Sequence, residues 1–123
     1  MAAHPLLSIR PATAEDVPLI RQLIAELAEY ERLADAAVAT DDSLREQLFG
    51  AQPAAEVLIG EVDGEAAGFA LFFHNFSTFL GKRGLYLEDL FVRPAFRGSG
   101  LGRHLMASLA RIAVQRDCGR FEW

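Results

Sequence analysis

The run Leu85-Tyr-Leu-Glu-Asp-Leu-Phe-Val-Arg-Pro-Ala-Phe-Arg-Gly-Ser-Gly-Leu-Gly-Arg103 constrains this chain more than any other stretch. A strand pattern stops at Pro94 and breaks into Arg97-Gly98-Ser99-Gly100-Leu101-Gly102, after which a helical apolar spacing begins. Glycines let the backbone approach a ligand and aim several N–H groups one way, and a helix behind them adds the positive end of its dipole. The segment predicts a bound phosphate ester at a strand-to-helix turn, which demands an α/β unit. The P-loop pattern fails, because no Lys and Ser/Thr follow Gly102, so a magnesium nucleotide is not expected. The dinucleotide pattern Gly-x-Gly-x-x-Gly early in a βαβ unit fails too, since the glycines fall at 98, 100 and 102 and the chain nearly ends.

Composition narrows the partners. With 51% hydrophobic and 24% charged residues the 123-residue chain has a globular profile and room for one domain. No apolar run reaches the roughly 18 residues of a membrane span, and Met1 to Leu7 lacks the basic start and apolar stretch of a secretory leader. The chain therefore reads as cytoplasmic, with no membrane partner. A net charge of −5 argues against nucleic acid, and its field leans toward a cationic ligand. Cys118, the single cysteine, reads as a small apolar residue at a helix exit rather than a nucleophile. His4, His74 and His104 are too dispersed for a metal motif, and no metal is expected.

Periodicity places the elements. Ser8 to Pro11 reads as a short strand, and Thr13-Ala-Glu-Asp16 as a helix start. Ile20, Leu23, Ile24 and Leu27 at i, i+3, i+4 and i+7 predict an amphipathic helix over Ala14 to Tyr30. A connector over Ala34 to Thr40 leads to a helix from Asp41 to Phe49, capped by Thr40 or Asp41 and stopped at Gly50. Glu56 to Val62, the turn Asp63-Gly64 and Ala67 to His74 predict a hairpin whose second, wholly apolar strand lies inside the sheet. After a loop over Asn75 to Arg83, Gly84 to Val92 pairs beside it. A helix follows from Gly100 to about Asp117, with Leu101, Leu105, Leu109 and Ile112 on one face, and Arg120 to Trp123 begins another strand.

Arg97-Gly98-Ser99-Gly100-Leu101-Gly102 satisfies the Arg/Gln-x-x-Gly-x-Gly/Ala signature of the GCN5-related N-acetyltransferases (GNAT superfamily), which the chain resembles. Ile9-Arg-Pro-Ala-Thr-Ala-Glu-Asp16, Glu26-Leu-Ala-Glu-Tyr-Glu31, Gly81-Lys82 and Leu85-Tyr-Leu-Glu-Asp-Leu-Phe-Val92 are similar to the narrower spermidine/spermine (diamine) acetyltransferase-like group. The resemblance implies an α/β acyl-CoA N-acyltransferase fold, with a mixed central sheet flanked by helices. It implies acetyl-CoA as co-substrate, a small cationic amine (polyamine, diamine or lysine-like) as acceptor, and direct attack on the thioester. Backbone groups of Leu90, Phe91 and Val92 would take the pantetheine arm. Arg97, Gly98, Ser99, Gly100, Leu101 and Gly102 would hold the pyrophosphate, with Arg103 adding a charge-assisted bond to phosphate.

An aliphatic ammonium has a pKa near 10 and must lose a proton before it attacks. Glu88 is the candidate base, matching a glutamate that contacts substrate in the group, while Tyr30 and Glu31 match positions at the distal, cationic part of the amine. Glu88 is expected to be buried in its apolar strand, and alternation to put Asp89 on the opposite face. The group's proton-donating tyrosine, an asparagine that contacts cofactor, a further helix and the remaining strands would lie beyond Trp123. The chain accordingly reads as C-terminally truncated, from a protein expected to be a homodimer. Ser77 and Phe79 stand where polyamine enzymes carry an acid and a tryptophan, which makes a smaller or lysine-like amine as plausible as a polyamine. Two rivals stay open: a non-catalytic acyl-CoA-binding protein, and an acetyltransferase acting on a protein amine.

Overall fold

The computed structural model describes residues 4–123. The elements in chain order are β1 (Leu7–Pro11), α1 (Val17–Tyr30), α2 (Asp41–Phe49), β2 (Glu56–Val62), β3 (Glu65–Ser77), β4 (Lys82–Val92), α3 (Leu101–Gln115) and β5 (Phe121–Glu122). The strands form one five-stranded sheet in sequence order. β1 through β4 pair antiparallel, and β5 joins β4 in parallel. This is the mixed sheet that the family resemblance implies.

Two cores sandwich the sheet. Leu58, Ala70, Phe72, Leu85 and Leu87 pack under Leu101, Leu105 and Leu109 of α3. On the other face Val57, Ile59, Phe69 and Phe91 meet Val17, Ile20 and Leu23 of α1 and Leu44 and Leu48 of α2. β3, expected inside the sheet, lies between β2 and β4, and its Phe69 and Phe72 are buried on opposite faces.

Several boundaries differ from the sequence expectation. The first helix begins at Val17, after a 3-10 turn over Ala14–Asp16, because Pro18 lacks an N–H and fits only the first helical turn. Ala34–Ala36 also forms a 3-10 turn inside the expected connector. The loop expected over Asn75 to Arg83 shrinks to residues 78–81. Asn75, Phe76 and Ser77 instead pair with Gly84, Arg83 and Lys82, and the Gly81 N–H closes the turn on the Ser77 carbonyl at 2.8 Å. Finally, α3 ends at Gln115, and Asp117 takes a positive φ of 55° at the exit. The α2 start follows the expectation: Thr40 and Ser43 exchange side-chain and backbone hydrogen bonds at 2.9 and 3.1 Å.

Two ion pairs fasten helix ends to the sheet. Arg10 on β1 grips Asp16 through two bonds of 2.8 Å, while Asp16 also accepts from the Thr13 N–H at 2.7 Å. Arg93, just past β4, donates to both Glu26 oxygens of α1 at 2.9 Å and to the Ala66 carbonyl at 2.9 Å. The Arg10 fork lowers the Asp16 carboxyl from 3.8 to about 2. A folded-state value below the unfolded one gives stability that is complete above about pH 4 and lost as the pH falls toward about 2. Asp16→Asn should therefore cost about 1 kcal/mol at neutral pH, a modest figure because Arg10 is 39% exposed. The gap between the urea midpoints of the two proteins should close on acidification; a gap that stays constant with pH would remove the carboxylate from the effect.

Candidate active site

The glycine turn is built as the sequence requires. Arg93 opens a 3-10 turn over Pro94–Phe96, and Gly98 and Gly100 follow with φ of 82° and 92°. Both angles lie in the left-handed region that glycine adopts without steric cost. Gly100 caps α3, and the Ser99 hydroxyl accepts the Leu101 N–H at 3.3 Å. Among the described residues, the N–H groups of Gly98, Gly100, Gly102 and Arg103 have no acceptor. They border a hollow of about 610 Å³ lined by Val92, Phe96 and the run from Arg97 to His104. Unpaired donors at a helix start, with the dipole behind them, form an anion cradle.

Every glycine-turn residue singled out in the sequence, from Arg97 through Arg103, lines this hollow, as does Val92. Leu90 and Val92 pack toward α3 while Phe91 is buried against α1, so these three present backbone rather than side chain along the strand. β5 pairs only with Leu85 and Tyr86. The outer edge of β4 from Leu87 to Val92 therefore has no strand partner among the described residues, and it ends at Val92, which lines the hollow. Phe96 and His104 also line it. Sequence reading passed over both, although His104 stands one helical turn beyond Gly100 and its Nδ1 lies 3.2 Å from the Gly100 carbonyl.

Arg97 departs from its expected place on the phosphate alone. Its Nε donates to the Val92 carbonyl at 3.2 Å, and its guanidinium carbon sits 4.4 Å from the centre of the Tyr30 ring. Arg103 is exposed and makes no ion pair among the described residues.

Glu88 is not buried, contrary to the expectation; its side chain is exposed. The cause is a slip in the ladder. Phe72 faces Leu87 and Leu71 faces Asp89, which leaves Glu88 as an extra residue in a β-bulge. The side-chain pattern records the same slip: Leu85 and Leu87 face α3, and so do Leu90 and Val92, three residues rather than two beyond Leu87. Alternation, which was expected to separate Glu88 from Asp89, is broken between them. Asp89 is half-buried and its carboxyl is pushed up, first by burial and then by the charges of Glu88 and Glu31. The structure thus gathers Glu31, Glu88 and Asp89, and adds Asp89 to the acids that the sequence singled out. Tyr30 adjoins them at the end of α1, its ring 6.3 Å from that of Phe91.

Cys118 does have an imidazole neighbour, His74, with Sγ 3.9 Å from Nδ1. That nitrogen also lies 2.9 Å from the Gly84 carbonyl, and Arg116 donates to Nε2 at 2.8 Å. Nε2 accepts and Nδ1–H donates, so the ring has no lone pair left to deprotonate the thiol. No helix among the described residues is long and apolar enough to cross a membrane.

The fold and the cradle belong to a known class. The model of the acetyltransferase (GNAT) family matches residues 20–123. A thialysine N-epsilon-acetyltransferase from Sus scrofa is 36% identical over 121 residues, covering 92% of this chain and 71% of that protein. A human spermidine/spermine N(1)-acetyltransferase-like protein 1 is 37% identical over 117 residues, covering 89% of this chain and 17% of its own length. Among solved structures, an integron cassette protein from V. cholerae superimposes with a TM-score of 0.76 at 27% identity, covering 95% of this chain and 74% of that one. This chain belongs to the GNAT family, within the group that the strand and helix motifs resemble, and is an acetyl-CoA-dependent N-acetyltransferase acting on an amine.

A methyl group at Gly98 meets nothing within 4 Å, so its cost is backbone strain at φ 82°. Gly98→Ala should lose about 1–2 kcal/mol of stability. It should also weaken acetyl-CoA binding about tenfold, the worth of one charge-assisted hydrogen bond. Calorimetry beside a thermal melt separates the two effects. Full affinity in a destabilised variant would show that the turn's backbone does not hold the phosphate.

Proposed function

We propose that the chain acetylates the side-chain amine of a small, lysine-like or diamine acceptor, with Glu31, Glu88 and Asp89 as the receptor for its positive charge. One observation carries this reading. Three carboxylates meet at the β4 bulge, next to the free strand edge that leads to the phosphate cradle, and the half-buried Asp89 has its carboxyl pushed up first by burial and then by the charges of Glu88 and Glu31. A cation entering there relieves that repulsion. The thialysine-acetylating relative, whose name specifies a lysine-like amine, supports the acceptor class. Ser77 and Phe79 stand where the polyamine enzymes that the chain resembles carry an acid and a tryptophan, which removes the ground for preferring a long polyamine.

Acetyl-CoA supplies the acetyl thioester. Its pyrophosphate sits on the free N–H groups of Gly98, Gly100, Gly102 and Arg103, and the arm lies along Leu90 to Val92. Tyr30 and Glu31 meet the distal part of the acceptor. Glu88, exposed at the bulge, takes a proton from the acceptor ammonium directly or through one water. The freed nitrogen attacks the carbonyl carbon; a C–N bond forms, the C–S bond breaks, and the departing thiolate takes up the second proton that the nitrogen sheds. Asp89 stays beside the new positive charge and stabilises it until the amide nitrogen has lost its second proton.

Glu88→Gln should lower kcat about 10²-fold, the ordinary worth of a positioned base, and leave acetyl-CoA affinity unchanged. Acetyl-transfer rates measured across thialysine, ornithine, lysine, putrescine and spermidine test the acceptor class. A preference for spermidine, or no transfer to any of them, would overturn it. The same variant probes the electrostatics. Removing the Glu88 charge should move the Asp89 carboxyl titration, followed by carbon NMR, downward without bringing it to the ordinary carboxylate value, because burial is the larger cause.

A further inference from the structure

Tyr30 has a second partner that its place near the acceptor does not explain. The Arg97 guanidinium lies over one face of its ring at 4.4 Å, within the range of a favourable cation–π contact. The same guanidinium donates through Nε to the Val92 carbonyl at 3.2 Å. Two contacts from different elements thus fix a side chain that otherwise has several free torsions, and Arg97 borders the phosphate hollow. Tyr30 is itself held. Its ring leans on Phe91 at 6.3 Å, and α1 is fastened four residues earlier by the Glu26–Arg93 fork at 2.9 Å. With Nε used on Val92, the terminal nitrogens of Arg97 make no hydrogen bond among the described residues.

We propose that Tyr30 is a positioning residue for acetyl-CoA: its ring is the shelf that holds the Arg97 guanidinium with its terminal nitrogens free for the pyrophosphate. The proposal rests on the reading above in that it takes acetyl-CoA as the ligand of the glycine turn. Arginine binds phosphate as a planar fork, and a fork already oriented loses less conformational freedom on binding. Tyr30 then belongs to the cofactor half of the site as well as to the acceptor half. The neighbouring Glu31 acts on Asp89, so consecutive residues at the end of α1 serve the two substrates.

The test is calorimetric titration of acetyl-CoA into the full-length protein without any amine present. Tyr30→Leu should raise Kd about two- to fivefold, the worth of an exposed cation–π contact. Tyr30→Phe, which keeps the ring face, should restore the wild-type Kd. In an Arg97→Gln background Tyr30→Leu should change Kd no further, whereas a general loosening of the site would persist there. Tyr30 is 61% exposed, so the substitution leaves the core intact. Wild-type binding with an unchanged or tighter Kd in Tyr30→Leu overturns this inference alone. A wild-type protein that takes up no acetyl-CoA overturns both it and the proposed function.

Discussion

The site depends on one slip in the pairing of β3 with β4. Ten residue pairs hold these strands together, and between Leu71 and Phe72 the register moves by one. Before the slip, Leu85 and Leu87 feed the α3 core; after it, Leu90 and Val92 return to that core and Phe91 to the opposite one. Without the extra residue, every side chain beyond Glu88 would point to the wrong face. The bulge therefore satisfies two demands together. It keeps both cores apolar up to Val92, and it expels Glu88 from the ladder beside Asp89.

The second constraint is how α1 is held. An amphipathic helix on a sheet could slide or tilt on its apolar face, because dispersion and burial are non-directional. The Glu26–Arg93 fork removes that freedom with two bonds of fixed direction, and a third from Arg93 reaches the Ala66 carbonyl at the start of β3. Arg93 lies four residues before Arg97. Its fork thus fixes the helix end that carries Tyr30 and Glu31 relative to the glycine turn. Charge is sorted across this short distance: free N–H groups and arginine at the turn, carboxylates at the bulge.

Much of the architecture is legible along the chain. The Thr40 cap, the Asp63-Gly64 turn, the glycine turn and the spacing of leucines in α3 are local signals, and each element stands where those signals put it. The misplaced boundaries have separate causes. Asn75, Phe76, Arg83 and Lys82 look like loop residues by composition, yet they continue the ladder because the preceding strands are already in register. Pro18 instead shifts the helix start locally, through the backbone geometry that proline permits.

What the sequence by itself determined is the phosphate cradle and the class of chemistry. A left-handed turn followed by a helix start is specified by a few consecutive residues, and Gly98 and Gly100 adopt the angles that only glycine takes freely. What only the tertiary structure decided is the grouping of the carboxylates and the place of Tyr30. Glu31 and Asp89 are distant in the chain, the bulge at Glu88 exists only against β3, and the Arg97–Tyr30 stack joins α1 to the turn after β4. Such contacts depend on register and on the seating of a helix. Both follow from how the whole apolar surface is buried, and no local stretch of sequence encodes that.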